Sequence, residues 1–213
     1  MDGDVDTSWH DTGAGVLVRG APTPSGTQLP LVPVLQVPDQ LDVDAEESLS
    51  GDRVVVQIVG LHGGAGTTSV AAWVGAGAAD CGVGLSRLRT WQAPVLLVAR
   101  THAHGLALVL EAAQQWAAGG LPGIELLGVV LVNDAPALSR DLERTVRSAE
   151  RALPRSWRIG WSEQYRHTPT VLGAGEVSSR TRRTGKSIRV EAARASTATP
   201  PAVTSPTEKD VSR

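Results

Sequence analysis

A chain of 213 residues with 41% hydrophobic residues can bury the core of one ordinary domain and still carry tails. With no Phe and one Tyr, that core falls to Val, Leu, Ala and six tryptophans, Trp9, Trp73, Trp91, Trp116, Trp157 and Trp161. A single cysteine, Cys81, excludes an internal disulfide, the acidic start MDGDVDTSWHDTGAG lacks the apolar centre of a signal peptide, and no apolar run nears the ~18 residues of a membrane span. A soluble, cytoplasmic protein is expected, with Cys81 in a structural role.

The net charge of −2 conceals a split. Residues 1–52 hold ten acidic side chains and one basic, residues 53–165 eight acidic and ten basic, and residues 166–213 four acidic and nine basic. Such splitting marks charged tails around a near-neutral folded centre. Residues 1–52 are rich in Pro and Gly and read as an acidic disordered segment, although LPLVPVLQVP has the composition to lie extended against a domain. Residues 53–166 read as the folded domain, and residues 167–213 as a basic, Ser/Thr/Pro-rich disordered tail.

In chain order, RVVVQIV is a buried strand by its β-branched content, and TTSVAAWVGAGAAD follows as a helix that Gly75 and Gly77 weaken. PVLLVA is a second strand. GLALVLEAAQQWAAGG has the spacing of a helix whose inner face carries Leu106, Val109, Leu110, Ala113, Trp116 and Ala117. IELLGVVLV is a third strand. PALSRDLERTVRSAERALP is a helix opening at Pro136, with Leu138, Leu142, Val146, Ala149 and Leu153 as its stripe. RSWRIGW is a fourth strand. Continuous apolar strands alternating with helices predict a reduced, three-layer α/β sandwich of about four mainly parallel strands, with ligands at their carboxyl ends.

The stretch VVVQIVGLHGGAGTTSVA poses the functional question. A glycine-rich turn between a buried strand and a helix attracts phosphate through backbone N–H groups and the helix dipole. Gly63, Gly64, Gly66, Thr67, Thr68 and Ser69 are the candidate phosphate-binding residues. Taken alone, Thr68 also has the chemistry of a helix cap.

These residues resemble the phosphate loop of the ParA/MinD partition ATPases, whose pattern is K-G-G-V-G-K-T-T/S after a hydrophobic strand. In that alignment His62 and Thr67 stand at the two lysine positions and Ala65 at the valine, while Gly63, Gly64 and Gly66 match. Thr68 takes the position that binds magnesium through the nucleotide. PVLLVARTHAHGLALV is similar to a later strand and helix of the family. LLGVVLVND is similar to its GVVLN strand, which implies Asn133 as the base-binding residue, and WRIGWSEQYR to its final segment. The resemblance covers residues 53–166 and extends to an uncharacterised actinobacterial group found on mobile elements. It implies ATP or another nucleotide with Mg as cofactor, and a role in plasmid or mobile-element maintenance with a protein partner, a second copy of the chain included.

The departures limit that expectation. A missing lysine removes a charge-assisted phosphate contact of roughly 1.5–3 kcal/mol and stabilisation of transition-state charge. The segment between Asp80 and Pro94 is too short for the family's magnesium-binding Asp strand and switch loop, and the strand nearest in place ends in Arg100. The implied protein is therefore P-loop-like and nucleotide-binding, with a degenerate Walker A loop and little or no hydrolysis. It is an ATPase only if Arg100, as a replacement phosphate cation, or a partner residue restores the charge. The alternative is a pseudo-ATPase serving as an interaction module with an empty loop.

Three other features have more than one reading. His62, His102 and His104 are either incidental or a three-imidazole zinc set. Asn133 and Asp134 are also suited to a helix cap. The cationic run Arg180–Arg194 reads as a solvated tail, as a weak, nonspecific DNA contact, since no aromatic residue interleaves with the charges, or as a contact for the acidic N-terminal segment of its own chain.

Overall fold

The computed structural model describes residues 34–38 and 54–198. Five strands make one sheet: β1 (Val56–Gly60), β2 (Ala78–Val83), β3 (Val95–Arg100), β4 (Leu126–Val132) and β5 (Ser156–Ile159). Their order is β2-β1-β3-β4-β5, and every pairing is parallel. β1, which leads into the glycine loop, lies between β2 and β3. The helices are α1 (Thr67–Val74), α2 (Ala103–Ala117), α3 (Arg140–Ala152), the short α4 (Gln164–His167) and α5 (Ser179–Ala198).

Alternation along the strands builds the two sides of the sandwich. Val59, Leu97, Val129 and Leu131 join Leu106, Val109 and Ala112 of α2 and Val146 and Ala149 of α3 in one cluster. Val56, Ile58, Leu96, Val98 and Val130 join Val70 and Trp73 of α1 and Ile188 and Ala192 of α5 in the other. Short of the strand-end Arg100, the residues of β1, β3 and β4 are apolar because both faces of these strands are covered. The exception is Gln57, fully buried in β1. Its side-chain oxygen accepts the amides of Arg89 and Thr90, and its nitrogen donates to the carbonyls of Thr90 and Ala93, so the loop before β3 is stitched to the sheet.

The α/β sandwich stands as expected, with several corrections. The helix expected across residues 67–80 stops at Val74, where Gly75 forms the C-cap, and the chain then runs as β2, a fifth strand. Its sequence AADCGV has little β-branched content, and parallel pairing along β1 overrides that weak propensity. α3 opens at Arg140 rather than Pro136, because the Ser139 hydroxyl accepts the Leu142 amide as its cap. Trp116 and Trp91 are exposed. Among the described residues only Trp73 is a buried tryptophan, with its ring nitrogen donating to the Leu172 carbonyl at 2.9 Å. Trp9 lies outside the described residues.

The expected boundary at residue 166 is also corrected. The chain continues into α5, whose Thr181, Ile188 and Ala192 are buried. Gly185 lets the helix approach α1 so closely that a Cβ there would stand 2.2 Å from the Trp73 carbonyl oxygen. Charge on the outer face and small or apolar residues on the inner face concealed this helix behind a tail-like composition.

The expectation for LPLVPVLQVP falls partly on described residues. Leu35 is buried, its amide donates to Gln115 Oε1 at 3.0 Å, and Gln115 Nε2 donates back to the Leu35 carbonyl. The rest of the expected disordered segment, residues 1–33 and 39–52, lies outside the described residues, as does 199–213. Among the described residues, no helix is long and apolar enough to cross a membrane.

Candidate functional site

The loop from Leu61 to Gly66 joins β1 to α1 at the carboxyl end of the sheet, where parallel α/β proteins bind ligands. Two of its glycines have left-handed backbones, Gly64 at φ +73 and Gly66 at φ +101, which side-chain-bearing residues rarely adopt. Buried Leu61 and Ala65 pin the turn from beneath, and the Leu61 amide donates to the Val98 carbonyl at 3.0 Å.

Gly66 is the N-cap of α1 and offers no capping side chain, whereas α2 and α3 are capped by His102 and Ser139. The Val70 amide bonds back to the Gly66 carbonyl, which leaves the first-turn amides of Thr67, Thr68 and Ser69 without a side-chain acceptor. Thr68 does not cap its helix. Its hydroxyl donates to Asp80 Oδ2 at 2.6 Å, and the Gly82 amide donates to Asp80 Oδ1 at 3.0 Å. A carboxylate thus stands beside Thr68 after all, contributed by β2 rather than by a strand following a switch loop. Burial raises the Asp80 pKa, but hydrogen bonds from Thr68, Gly82 and Thr67, with the charge of Arg89, outweigh it and hold the carboxyl below its ordinary value.

On the other side of the loop stand the end of β3 and the start of α2. The His62 ring meets the Gly63 carbonyl through Nδ1 at 2.9 Å and accepts the Arg100 amide through Nε2 at 3.1 Å. These contacts suit the tautomer that carries its proton on Nδ1. Arg100 Nε donates to the Gly64 carbonyl at 2.9 Å, and its NH1 lies 3.6 Å from Asp134. The Arg100 guanidinium therefore reaches the loop. Gly105 completes the packing, because a Cβ there would meet the Arg100 carbonyl oxygen at 2.2 Å and His62 Nε2 at 3.1 Å.

The three histidines do converge, with ring centroids 4.9 to 6.4 Å apart. They do not make the zinc set weighed from the sequence. Both nitrogens of His62 are engaged, and His102 Nδ1 accepts the Gly105 amide at 3.0 Å as the cap of α2. Among the described residues, no group of three or more His, Cys, Asp or Glu side chains is arranged to hold a metal ion. Burial, with the nearby His62, His104 and Arg100, pushes the His102 pKa down against the opposing charge of Asp134.

Asn133 follows β4, two strands from β1, and its amide donates to the Ile159 carbonyl. Its Oδ1 accepts Arg158 Nε at 2.9 Å, while the two terminal nitrogens of Arg158 grip Glu143 at 3.0 and 2.6 Å. Asp134 does not cap α3. Its amide donates to the hydroxyl of fully buried Thr101 at 3.0 Å.

Comparison with family models matches residues 54–192 to a family of unknown function, DUF6668. The chain belongs to that family. No curated protein and no solved structure matches it. The DUF6668 match runs through most of α5, in keeping with that helix being part of the folded unit.

Asp80, Gly105, Arg158 and Glu143 were missed as site residues. Asp80 sat in an Ala/Gly-rich stretch read as the end of a helix. Gly105 looked like an ordinary residue near a helix start. The Arg158–Glu143 pair spans a helix and a strand, and no local spacing signals it.

Proposed function

We propose that this DUF6668 chain binds the phosphates of a nucleotide at the loop between β1 and α1, with little or no hydrolysis. The observation that carries the reading is the uncapped start of α1, with Gly64 and Gly66 in left-handed conformations and the amides of Thr67, Thr68 and Ser69 lacking a capping side chain. Donors of this kind suit an anion, and the positive end of the helix dipole adds to them. Gly63, Gly64 and Gly66 let the backbone approach the ligand. Arg100 takes the part of the absent lysine, since its guanidinium lies against Gly64.

Magnesium fits this site only as a companion of the nucleotide. Thr68 and Asp80 offer one hydroxyl and one carboxylate, the sparse protein ligation Mg²⁺ uses when phosphates and waters complete its shell. Asn133 would read the base through its amide nitrogen, because its oxygen is held by Arg158. With histidine and threonine at the two lysine positions, binding without turnover follows more directly than catalysis. In this reading the protein works in the cytoplasm, in plasmid or mobile-element maintenance, together with a protein partner or a second copy. An interaction module with an empty loop is the second reading. The bonds that tie Arg100 to Gly64 and Asp134 favour it, because they occupy the cation that phosphate would need.

Titration calorimetry of ATP, ADP and GTP with magnesium into the full chain tests the choice, with Gly66→Val and Thr68→Ala as controls. Saturable heat that both variants weaken supports the nucleotide site. An absence of heat with any nucleotide, from protein whose near-ultraviolet dichroism shows native packing, leaves the interaction module.

A further inference from the structure

The outer face of α5 carries Arg180, Arg182, Arg183, Lys186 and Arg189, all exposed. None of the five makes an ion pair among the described residues. The one acid of the helix, Glu191, is taken by Arg155 at 3.0 Å and Arg194 at 2.9 Å. The inner face is locked to α1 through Gly185 and Ile188, so these cations form a fixed strip of unbalanced charge rather than a solvated tail.

We propose that the acidic segment N-terminal to β1, above all residues 39–52, docks on this face of α5. Three observations point to that occupant. Residues 39–52 contain Asp39, Asp42, Asp44, Glu46, Glu47 and Asp52 and no basic residue. The segment enters the sheet beside α5, because the Ser196 hydroxyl donates to the Val55 carbonyl at 3.4 Å. Its other end is held at Leu35 by Gln115, so it is kept near the domain at high effective concentration. Length is sufficient: held at both ends, fourteen residues of at most ~50 Å contour can reach out and back by up to ~25 Å, and Lys186 lies about 15 Å along α5 from Ser196.

Exposed ion pairs are weak singly, so docking depends on many acids meeting many bases at once and is sensitive to salt. A nucleic acid offers the same face a rival polyanion and would have to displace the segment.

Zero-length carbodiimide cross-linking of the full chain tests this, because only two lysines are present, Lys186 and Lys209. The expected product joins Lys186 to a carboxylate within residues 39–52. In a mixture of isotope-labelled and unlabelled protein it should form within single copies. Its yield should fall at least ~5-fold as salt rises from about 0.05 to about 0.5 M. The variant carrying Asp42→Asn, Asp44→Asn, Glu46→Gln and Glu47→Gln should lose the link. It should also bind a random-sequence DNA duplex about tenfold more tightly than the wild type, since the face is then uncovered. A Lys186 that couples to an added small carboxylate activated by the same reagent but links to no residue of 39–52 overturns the proposal. Linkage only between copies, or equal duplex affinity of wild type and variant, overturns it as well. In the last case the face is open to nucleic acid in the native chain.

Discussion

His62 and Arg100 hold each other's segments in place. The imidazole of His62 accepts the backbone amide of Arg100, and the side chain of Arg100 reaches back to the carbonyl of Gly64, two residues beyond His62. The glycine loop is therefore fixed to the end of β3 from both sides. Gly105 leaves the space this requires. Gly105→Ala would place a methyl against the Arg100 carbonyl, and overpacking of this kind costs about 1–3 kcal/mol. A fall of that size in urea-unfolding free energy is expected, together with weaker nucleotide binding if the loop is the site.

Thr68 and Asp80 make a pH-dependent contribution of known sign. The Asp80 pKa is lowered from 3.8, so the pair stabilises the fold above that pH, and its contribution is lost as pH falls through the lower folded value. Thr68→Ala should destabilise the protein by about 1 kcal/mol at neutral pH. The difference between variant and wild type should narrow in denaturant titrations below pH 3.8.

His102 works in the same direction at higher pH. Its folded pKa lies below the ordinary 6.5, so stability is complete above that value and falls as the solution is acidified through the folded pKa. His102→Asn keeps an acceptor for the Gly105 amide but does not titrate. The pH slope of the unfolding midpoint just below 6.5 should flatten in this variant, with little change at pH 8.

Helix α5 completes the core on one face of the sheet. A chain ending at residue 166 would uncover Trp73, Val70 and Ile58 and lose the buried Ile188, a side chain whose burial stabilises by about 1.5–3 kcal/mol. Such a fragment should show a red-shifted tryptophan emission and lose near-ultraviolet dichroism. Gly185→Ala in the full chain should lower the midpoint without abolishing folding.

Cys81 should be silent toward thiol reagents. Burial pushes its pKa up to about 11, and its side chain is fully enclosed. Modification by a chromogenic disulfide at pH 8 should proceed only at the rate of unfolding and accelerate with urea.

How far the sequence disclosed this protein depended on whether the signal was local. Val56–Gly60, Val95–Arg100 and Leu126–Val132 are covered on both faces and announce themselves as apolar runs, broken only by Gln57 and the strand-end Arg100. Leu142, Val146 and Ala149 of the expected stripe mark the inner face of α3, with Leu138 and Leu153 packed just beyond its ends, and the glycines of the loop are visible by composition. β2 and α5 were hidden for opposite reasons. The Ala/Gly content of β2 gives no periodicity, and its pairing with β1 is a tertiary fact. The outer charges of α5 masked the small residues that dock it. Asp80 and Gly105 were illegible as site residues because each acts on a partner brought near by the fold, Thr68 in one case and Arg100 in the other.

Leu35 has a consequence for the connectivity of the molecule. Its side chain is buried and its backbone is paired with Gln115, while the covalent route from Pro38 to the sheet runs through residues 39–53. A protease that cut this connection would leave a two-piece protein, with the short N-terminal peptide seated as a noncovalent ligand of its own former domain. The start of the chain can therefore be titrated away and restored in trans as a synthetic peptide, and its affinity would measure the worth of Leu35, of Val34 and Val37 packed beside it, and of the two hydrogen bonds to Gln115.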